Sequence, residues 1–321
     1  MIMRFTVSAS LALALTAAAC ARENTNEAEA EAAAASAVSS TATAQTETVE
    51  SAPDWNLPDE AWRTVDQDRL LYLETDHGLV IIELAPEFAP DHVARMRELI
   101  DERFYDFLVF HRVIEGFMAQ AGGSRANPGH AADKEPLEAE FTTRRIPGEM
   151  PMTEIQDRVV NPGLNLMGRA GFWNGFAAGT QPSAQAMISM DGAVESWLLH
   201  CRGAAAMART NDPNSARSQW YITTGNAEHL NATYTVWGRV RSGMDAVDQI
   251  AVGTAMEDPD FRPDVIRSLR VGSDVPAEEQ IEVQVADTDS EAFAAYLETL
   301  RDDAGALPDI CEIPVPTRIE E

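Results

Sequence analysis

Between Leu70 and Val271 the chain breaks into short strand-like runs separated by turn residues, with only two helical stretches among them. Leu70 to Glu74 and Leu79 to Leu84 flank Thr75-Asp76-His77-Gly78, a hairpin signal with glycine in the turn. Phe107 to Ile114 and Phe117 to Gln120 meet at Glu115-Gly116, and Gly203 to Ala208, Gln219 to Thr224, Tyr234 to Val240 and Val265 to Val271 complete the series. Pro86 and Pro90 bracket a helix start, after which Val93, Met96, Leu99 and Ile100 recur at helical spacing as far as Phe104; Met244 to Ile250 is a second, short helix. No strand–helix–strand rhythm is present, and an antiparallel barrel fits the pattern best. The expected fold is mainly β with two helices: a closed antiparallel β-barrel capped by helices, with long loop insertions. Positions 121–202 mix glycine, proline and asparagine with apolar islands such as Ala186 to Met190 and Trp197 to Leu199, and are expected to be long loops with some short elements, Phe172, Trp173 and Phe176 packing the inside of one of them. Beyond the barrel, Ser290 to Asp302 carries Phe293, Tyr296, Leu297 and Leu300 on one helical face.

Charge is unevenly distributed. The net formal charge is −28, and all positive side chains but Lys134 are arginine. Residues 21–60 hold nine acidic groups against one basic, and residues 272–321 hold fourteen against two, so these flanks carry −20 of the total. A chain this acidic is a poor ligand for phosphate backbones, so nucleic acid is not an expected partner. The chain begins with Arg4 and an apolar run from Phe5 to Ala19, too short for a comfortable permanent bilayer span. Leu15-Thr16-Ala17-Ala18-Ala19-Cys20 resembles a bacterial lipoprotein cleavage site with Cys20 as the acylated residue; the alternative is an ordinary signal peptide with Cys20 incidental. The expected layout is a signal peptide over 1–19, a disordered acidic tether over 20–60, a folded domain over 61–271 and an acidic C-terminal extension over 272–321. The protein is then exported and periplasmic, held at a membrane through lipidated Cys20. Of the remaining cysteines, Cys201 and Cys311 either pair in that oxidising compartment or stay as two buried thiols.

The run Phe110-His111-Arg112-Val113-Ile114-Glu115-Gly116-Phe117-Met118-Ala119-Gln120 resembles the signature of cyclophilin-type peptidyl-prolyl isomerases. Two further blocks agree in order and spacing. Met207-Ala208-Arg209-Thr210 is followed by Ser218-Gln219-Trp220-Tyr221-Ile222, and His229-Leu230 by Tyr234-Thr235-Val236-Trp237-Gly238-Arg239-Val240 and Gly243-Met244-Asp245. The resemblance covers roughly residues 68–271.

It implies an enzyme that turns X-Pro bonds, with Arg112 as the catalytic arginine. Phe117, Met118 and Leu230 match the proline pocket, Gln120 and Gln219 the groups that bind substrate backbone, and Ala208 and Arg209 the strand that pairs with a bound peptide. Tyr221, His229 and Tyr234 also fall at substrate-facing positions but depart from the common residues there, phenylalanine, tryptophan and histidine respectively. The Tyr221 hydroxyl then needs a partner, and His229 implies weaker cyclosporin binding. Glu115 replaces a common proline, and Gln120-Ala121-Gly122-Gly123 is one residue longer than usual. The chemistry calls for no metal and no cofactor, and His77, His92, His111, His130, His200 and His229 show no metal-ligand spacing. The implied partners are proline-containing unfolded or envelope polypeptides, and the protein is expected to be a monomer. A non-catalytic module that grips proline segments, and a purely structural envelope lipoprotein, are the alternatives.

Overall fold

The computed structural model describes residues 57–161 and 166–320; the expectations for the signal segment, for Cys20 and for the tether before residue 57 lie outside them. In chain order the strands begin with β1 (Trp62–Thr64), β2 (Leu70–Thr75) and β3 (Gly78–Leu84), and helix α1 (Pro90–Asp101) follows. Next come β4 (Arg112–Ile114), β5 (Met118–Ala121), β6 (Thr143–Arg145), β7 (Thr153–Asn161), β8 (Leu166–Trp173), β9 (Phe176–Thr180) and β10 (Val194–Leu198). The chain continues through β11 (Ala204–Met207), β12 (Trp220–Thr223), β13 (Val236–Ser242), α2 (Met244–Asp248), β14 (Gly253–Thr254) and β15 (Ile266–Val271). It ends in β16 (Glu282–Ala286), α3 (Glu291–Thr299) and β17 (Thr317–Glu320).

Nine strands form one antiparallel sheet in the order β14-β4-β5-β12-β11-β13-β3-β2-β15. Its first hairpin turns on Asp76-His77, with Thr75 opposite Gly78, whose φ of 132° suits glycine. One face carries Leu71, Leu73, Val80, Ile82, Phe110, Trp220 and Trp237 into a shared core, against which α1 lays Val93, Met96, Leu99 and Ile100. The helix stops before Phe104 because Arg103 takes a left-handed φ of 56°. The Phe104 N–H then bonds the Leu99 carbonyl at 2.9 Å and the Arg103 N–H the Ile100 carbonyl at 2.9 Å, a Schellman ending. The closed barrel is slightly overstated by the sequence reading. No ladder joins the edge strands β14 and β15; the seam is an isolated bridge between Val109 and Val265, with Phe107 N–H on the Ile266 carbonyl at 2.8 Å.

Positions 121–202 hold more than long loops: residues 122–142 are irregular, but much of the remainder is strand. A second, five-stranded sheet stands there in the order β6-β10-β9-β8-β7. β8 and β9 are interrupted by alanine and glycine, which blur any apolar alternation, yet the small residues are where neighbours come close. A Cβ on Gly179 would lie 2.5 Å from the Trp197 ring, and one on Gly171 would run into the Thr153 carbonyl. Asn174-Gly175 turns β8 into β9 with φ values of 47° and 76°, the paired left-handed geometry of a two-residue hairpin.

β1, β16 and β17 form a third sheet, so part of the acidic C-terminal region is ordered structure. Val283 and Val285 cover Leu70 and Tyr72, the outward residues of β2, which is why that strand is apolar on both faces. Helix α3, capped by Ser290 accepting from the Phe293 N–H at 3.1 Å, packs Phe293 and Leu297 against Phe172 and Trp197 of the second sheet. A disulfide joins Cys201 to Cys311 across 5.0 Å between Cα atoms.

All three sheets meet at one buried carboxylate. Glu83 on β3 receives Arg241 of β13 at 2.7 Å and Arg63 of β1 at 2.9 Å, and Arg241 also donates to the Gly175 carbonyl at 2.9 Å. Arg63 donates to the Asn174 carbonyl as well. Burial by itself would raise the Glu83 pKa, but the two guanidinium groups outweigh it and hold the group below the usual carboxylate range. Its stabilising contribution is complete above the ordinary glutamate value of about 4.3 and is lost as the pH falls through the lower folded value. Replacing Glu83 with Gln leaves Arg241 buried without its counter-charge; urea denaturation at pH 7 is expected to show a loss of roughly 3–5 kcal/mol.

Candidate active site

The nine-stranded sheet alternates strictly where it matters. Ala119, Ala121, Ala205, Met207, Trp220, Ile222 and Trp237 point to the barrel core, while Met118, Tyr221, Ala204, Ala206 and Val236 point away from it into a separate apolar cluster. On that outward face, register sets a row across five strands: Arg112 opposite Gln120, Gln120 opposite Tyr221, Tyr221 opposite Ala206, and Ala206 opposite Val236. Residues separated by up to 124 positions in sequence thus share one line.

At one end the row is polar. Arg112 donates through Nη1 to Gln120 Oε1 at 3.4 Å and lies 3.9 Å from Met118 Sδ. Among the described residues no carboxylate pairs with it. Gln120 Nε2 donates to Gln219 Oε1 at 2.8 Å, and Gln219 Nε2 to the Gly129 carbonyl at 3.0 Å, so the two amides are oriented in series. The Ala208 N–H bonds the Gln219 carbonyl at 2.9 Å. Next to this chain the surface is apolar: Met118 and Tyr221 are buried, and Phe117, Ala208, Leu230 and Tyr234 are partly buried in the same cluster. His229 is exposed and tilts over the Phe117 ring at 5.5 Å between centroids. Arg209 stacks over Tyr234 at 4.1 Å while donating to the Thr233 carbonyl at 2.9 Å. The structure therefore gathers Arg112, Phe117, Met118, Gln120, Ala208, Arg209, Gln219, Tyr221, His229, Leu230 and Tyr234 on one region of one sheet. Cys201 and Cys311 are paired with each other.

Residues outside the motif blocks contribute too. Trp173, Phe176, Ala178 and Leu198 of the second sheet, with Met150 and Met152, back the same cluster. Phe141 lies 5.3 Å from the Arg209 guanidinium. His200, fully buried, has Nε2 3.1 Å from the Tyr221 hydroxyl and Nδ1 3.3 Å from Asn231 Oδ1. Asn231 Oδ1 also accepts the His200 backbone N–H at 2.8 Å, which identifies that atom as the oxygen. Nδ1 of His200 therefore carries the proton and Nε2 accepts from Tyr221. The signal was present in the tyrosine: a hydroxyl placed in an apolar wall requires a partner.

Burial keeps two imidazoles of this region neutral. It pushes His200 down to about 3, and it pushes His111 down to about 4, with the neighbouring Arg112 charge acting in the same direction. The unfolded chain takes up protons at about pH 6.5, before the folded one does, so these groups leave stability intact above that pH and erode it as the pH falls toward their folded values. Ring carbon and nitrogen NMR shifts of His111 and His200 are expected to stay those of neutral imidazole from pH 8 down to pH 5.

The comparisons with known proteins agree with this geometry. Residues 70–271 match the family model described as cyclophilin type peptidyl-prolyl cis-trans isomerase/CLD. A probable peptidyl-prolyl cis-trans isomerase from Brucella suis is 31% identical over 210 residues, spanning 65% of this chain and 85% of the relative. Peptidyl-prolyl cis-trans isomerase B of Escherichia coli is 28% identical over 189 residues, spanning 56% of this chain and 83% of the relative. Among solved structures, a cyclophilin from Hirschia baltica superimposes with a TM-score of 0.71 at 37% identity, covering 81% of this chain and 93% of that one. That coverage exceeds the span of residues 70–271, so the likeness extends beyond the barrel itself. Alternating faces, a shared row of motif residues and these matches lead to one assignment: the chain belongs to the cyclophilin-type peptidyl-prolyl cis-trans isomerase family.

Proposed function

We propose that Arg112 stabilises the twisted X-Pro amide while Phe117, Met118, Leu230 and Tyr221 hold the proline ring. The observation that carries this reading is an arginine that has no carboxylate partner among the described residues, oriented by Gln120, at the border of an apolar cluster. A prolyl bond resists rotation by roughly 18–20 kcal/mol because the amide is conjugated. Rotation breaks no covalent bond, so the site needs no nucleophile; it needs a donor that binds the twisted amide better than the planar one. A guanidinium is permanently charged and rigid, and it donates to the prolyl nitrogen or the preceding carbonyl as conjugation is lost. Gln120 and Gln219 hold the substrate backbone, and the strand at Ala208 and Arg209 pairs with it. Arg112 together with Phe117 and Met118 favours catalysis over a non-catalytic binder.

Expected clients are proline-containing exported or envelope polypeptides. In support, Arg4, the apolar run to Ala19 and the small residues before Cys20 fit an export signal with lipidation, and a structural disulfide suits an oxidising compartment. Residues 20–60 then tether the folded domain to a membrane.

Exchange NMR on an Ala-Pro peptide tests the chemistry. The wild type accelerates exchange, and Arg112→Ala is expected to lower kcat/KM about 100-fold or more with unchanged far-UV CD; a wild type that does not accelerate exchange overturns the reading. For the anchor, a palmitate analogue should label the protein in bacterial cells, and Cys20→Ser should abolish the label.

A further inference from the structure

Two walls of the proposed proline pocket hang on one residue that touches neither the groove nor solvent. The first wall is Tyr221, whose hydroxyl, among the described residues, bonds only His200 Nε2 at 3.1 Å. The second is the single-turn helix Glu228–Leu230, which carries His229 and Leu230. His200 clasps that turn at both ends. Its carbonyl accepts the Ala227 N–H at 2.8 Å just before the turn. Its backbone N–H donates to Asn231 Oδ1 at 2.8 Å just after it, and ring Nδ1 donates to the same oxygen at 3.3 Å. Both walls share an apolar cluster with Met118 and Phe117. The ring is fully buried, with both nitrogens engaged.

We infer that His200 is a positioning residue for the proline pocket, setting the separation of Tyr221 and Leu230 and thereby the affinity for the proline ring. The inference rests on the pocket reading proposed above. An imidazole suits the task because a single rigid ring presents one donor and one acceptor in opposite directions. A tyrosine in this wall makes that acceptor necessary: with it gone, a buried hydroxyl is left unsatisfied and the ring must shift toward water. Burial favours the neutral form, the only one that keeps the acceptor. Cys201 follows directly, and its disulfide to Cys311 anchors the backbone from which the ring projects.

The test uses the full chain and an Ala-Pro peptide. His200→Leu is expected to raise KM roughly tenfold while kcat changes less than about threefold, since the reacting arginine is untouched. In a Tyr221→Phe background the same substitution is expected to raise KM clearly less than in the wild type, because the hydroxyl no longer needs satisfying and only the ring's bond to Asn231 is lost. His200→Gln, whose amide oxygen can accept the hydroxyl, is expected to restore much of the loss. An unchanged KM in folded His200→Leu, or an equal rise in both backgrounds, overturns the inference. If His200→Leu does not fold, the His200 ring nitrogens decide: Tyr221→Phe must shift the Nε2 resonance, and an unmoved resonance overturns the inference. Failure of the pocket reading itself looks different, because Arg112→Ala would then leave isomerisation intact.

Discussion

The three sheets are joined through the carboxylate of Glu83 and the two arginines that neutralise it. A lone buried carboxylate is costly. Here Arg241 and Arg63 approach it from two different sheets, and their remaining donors reach the Asn174 and Gly175 carbonyls of a third. The turn at Asn174-Gly175 is thus held from one side by charge-assisted hydrogen bonds. From the other side Val285 closes in, leaving only 2.7 Å to any Cβ added at Gly175. Phe176 follows directly, with the Arg241 guanidinium 4.5 Å above its ring. Since Phe176 and Trp173 back the cluster that contains Met118 and Tyr221, an ion triad remote from Arg112 fixes the support behind the pocket.

The barrel was legible because its information is local. Hairpin turns, Pro90 at the start of α1 and alternating strands all act within a few residues. The motif blocks were legible because spacing along paired strands fixes which side chains share a face, and register then brought Arg112, Gln120 and Tyr221 into line. The five-stranded sheet was not legible: its central strands β8 and β9 carry alanine and glycine where Trp197 and neighbouring backbone come close, and such residues carry no hydrophobic period. Asn174-Gly175 was a hairpin signal hidden among other glycines. Glu83 and Arg241 occupy strand positions that read as solvent-facing in an alternating pattern, and only the arrival of β1 and the β8–β9 turn buries them.

Charge likewise divides by location. The protein is strongly acidic, yet its excess acid lies mostly before residue 61 and after residue 271. In the later flank the carboxylates decorate β16, α3 and β17, as with Glu282, Glu291 and Glu298, so part of that acidity coats folded surface. The polar end of the groove instead holds a guanidinium and two amides linked in series, an arrangement that leaves the positive charge available to a ligand.

The third sheet has a consequence in time. β1 pairs Thr64 with Gln284, and β16 pairs in turn with a strand that ends at Glu320, so a segment made early must wait for partners made much later. At synthesis rates of about 5–20 residues per second, the ~220 residues between those partners take roughly 10–40 s to appear. Throughout that interval the outward face of β2 stays bare; Glu83 has no Arg241 until residue 241 is made, and Arg63 stays unplaced until β16 pairs with β1. Completion of the third sheet therefore comes long after β1 is made, and a nascent copy passes through a stage with its barrel pattern present and its supporting layer unfinished.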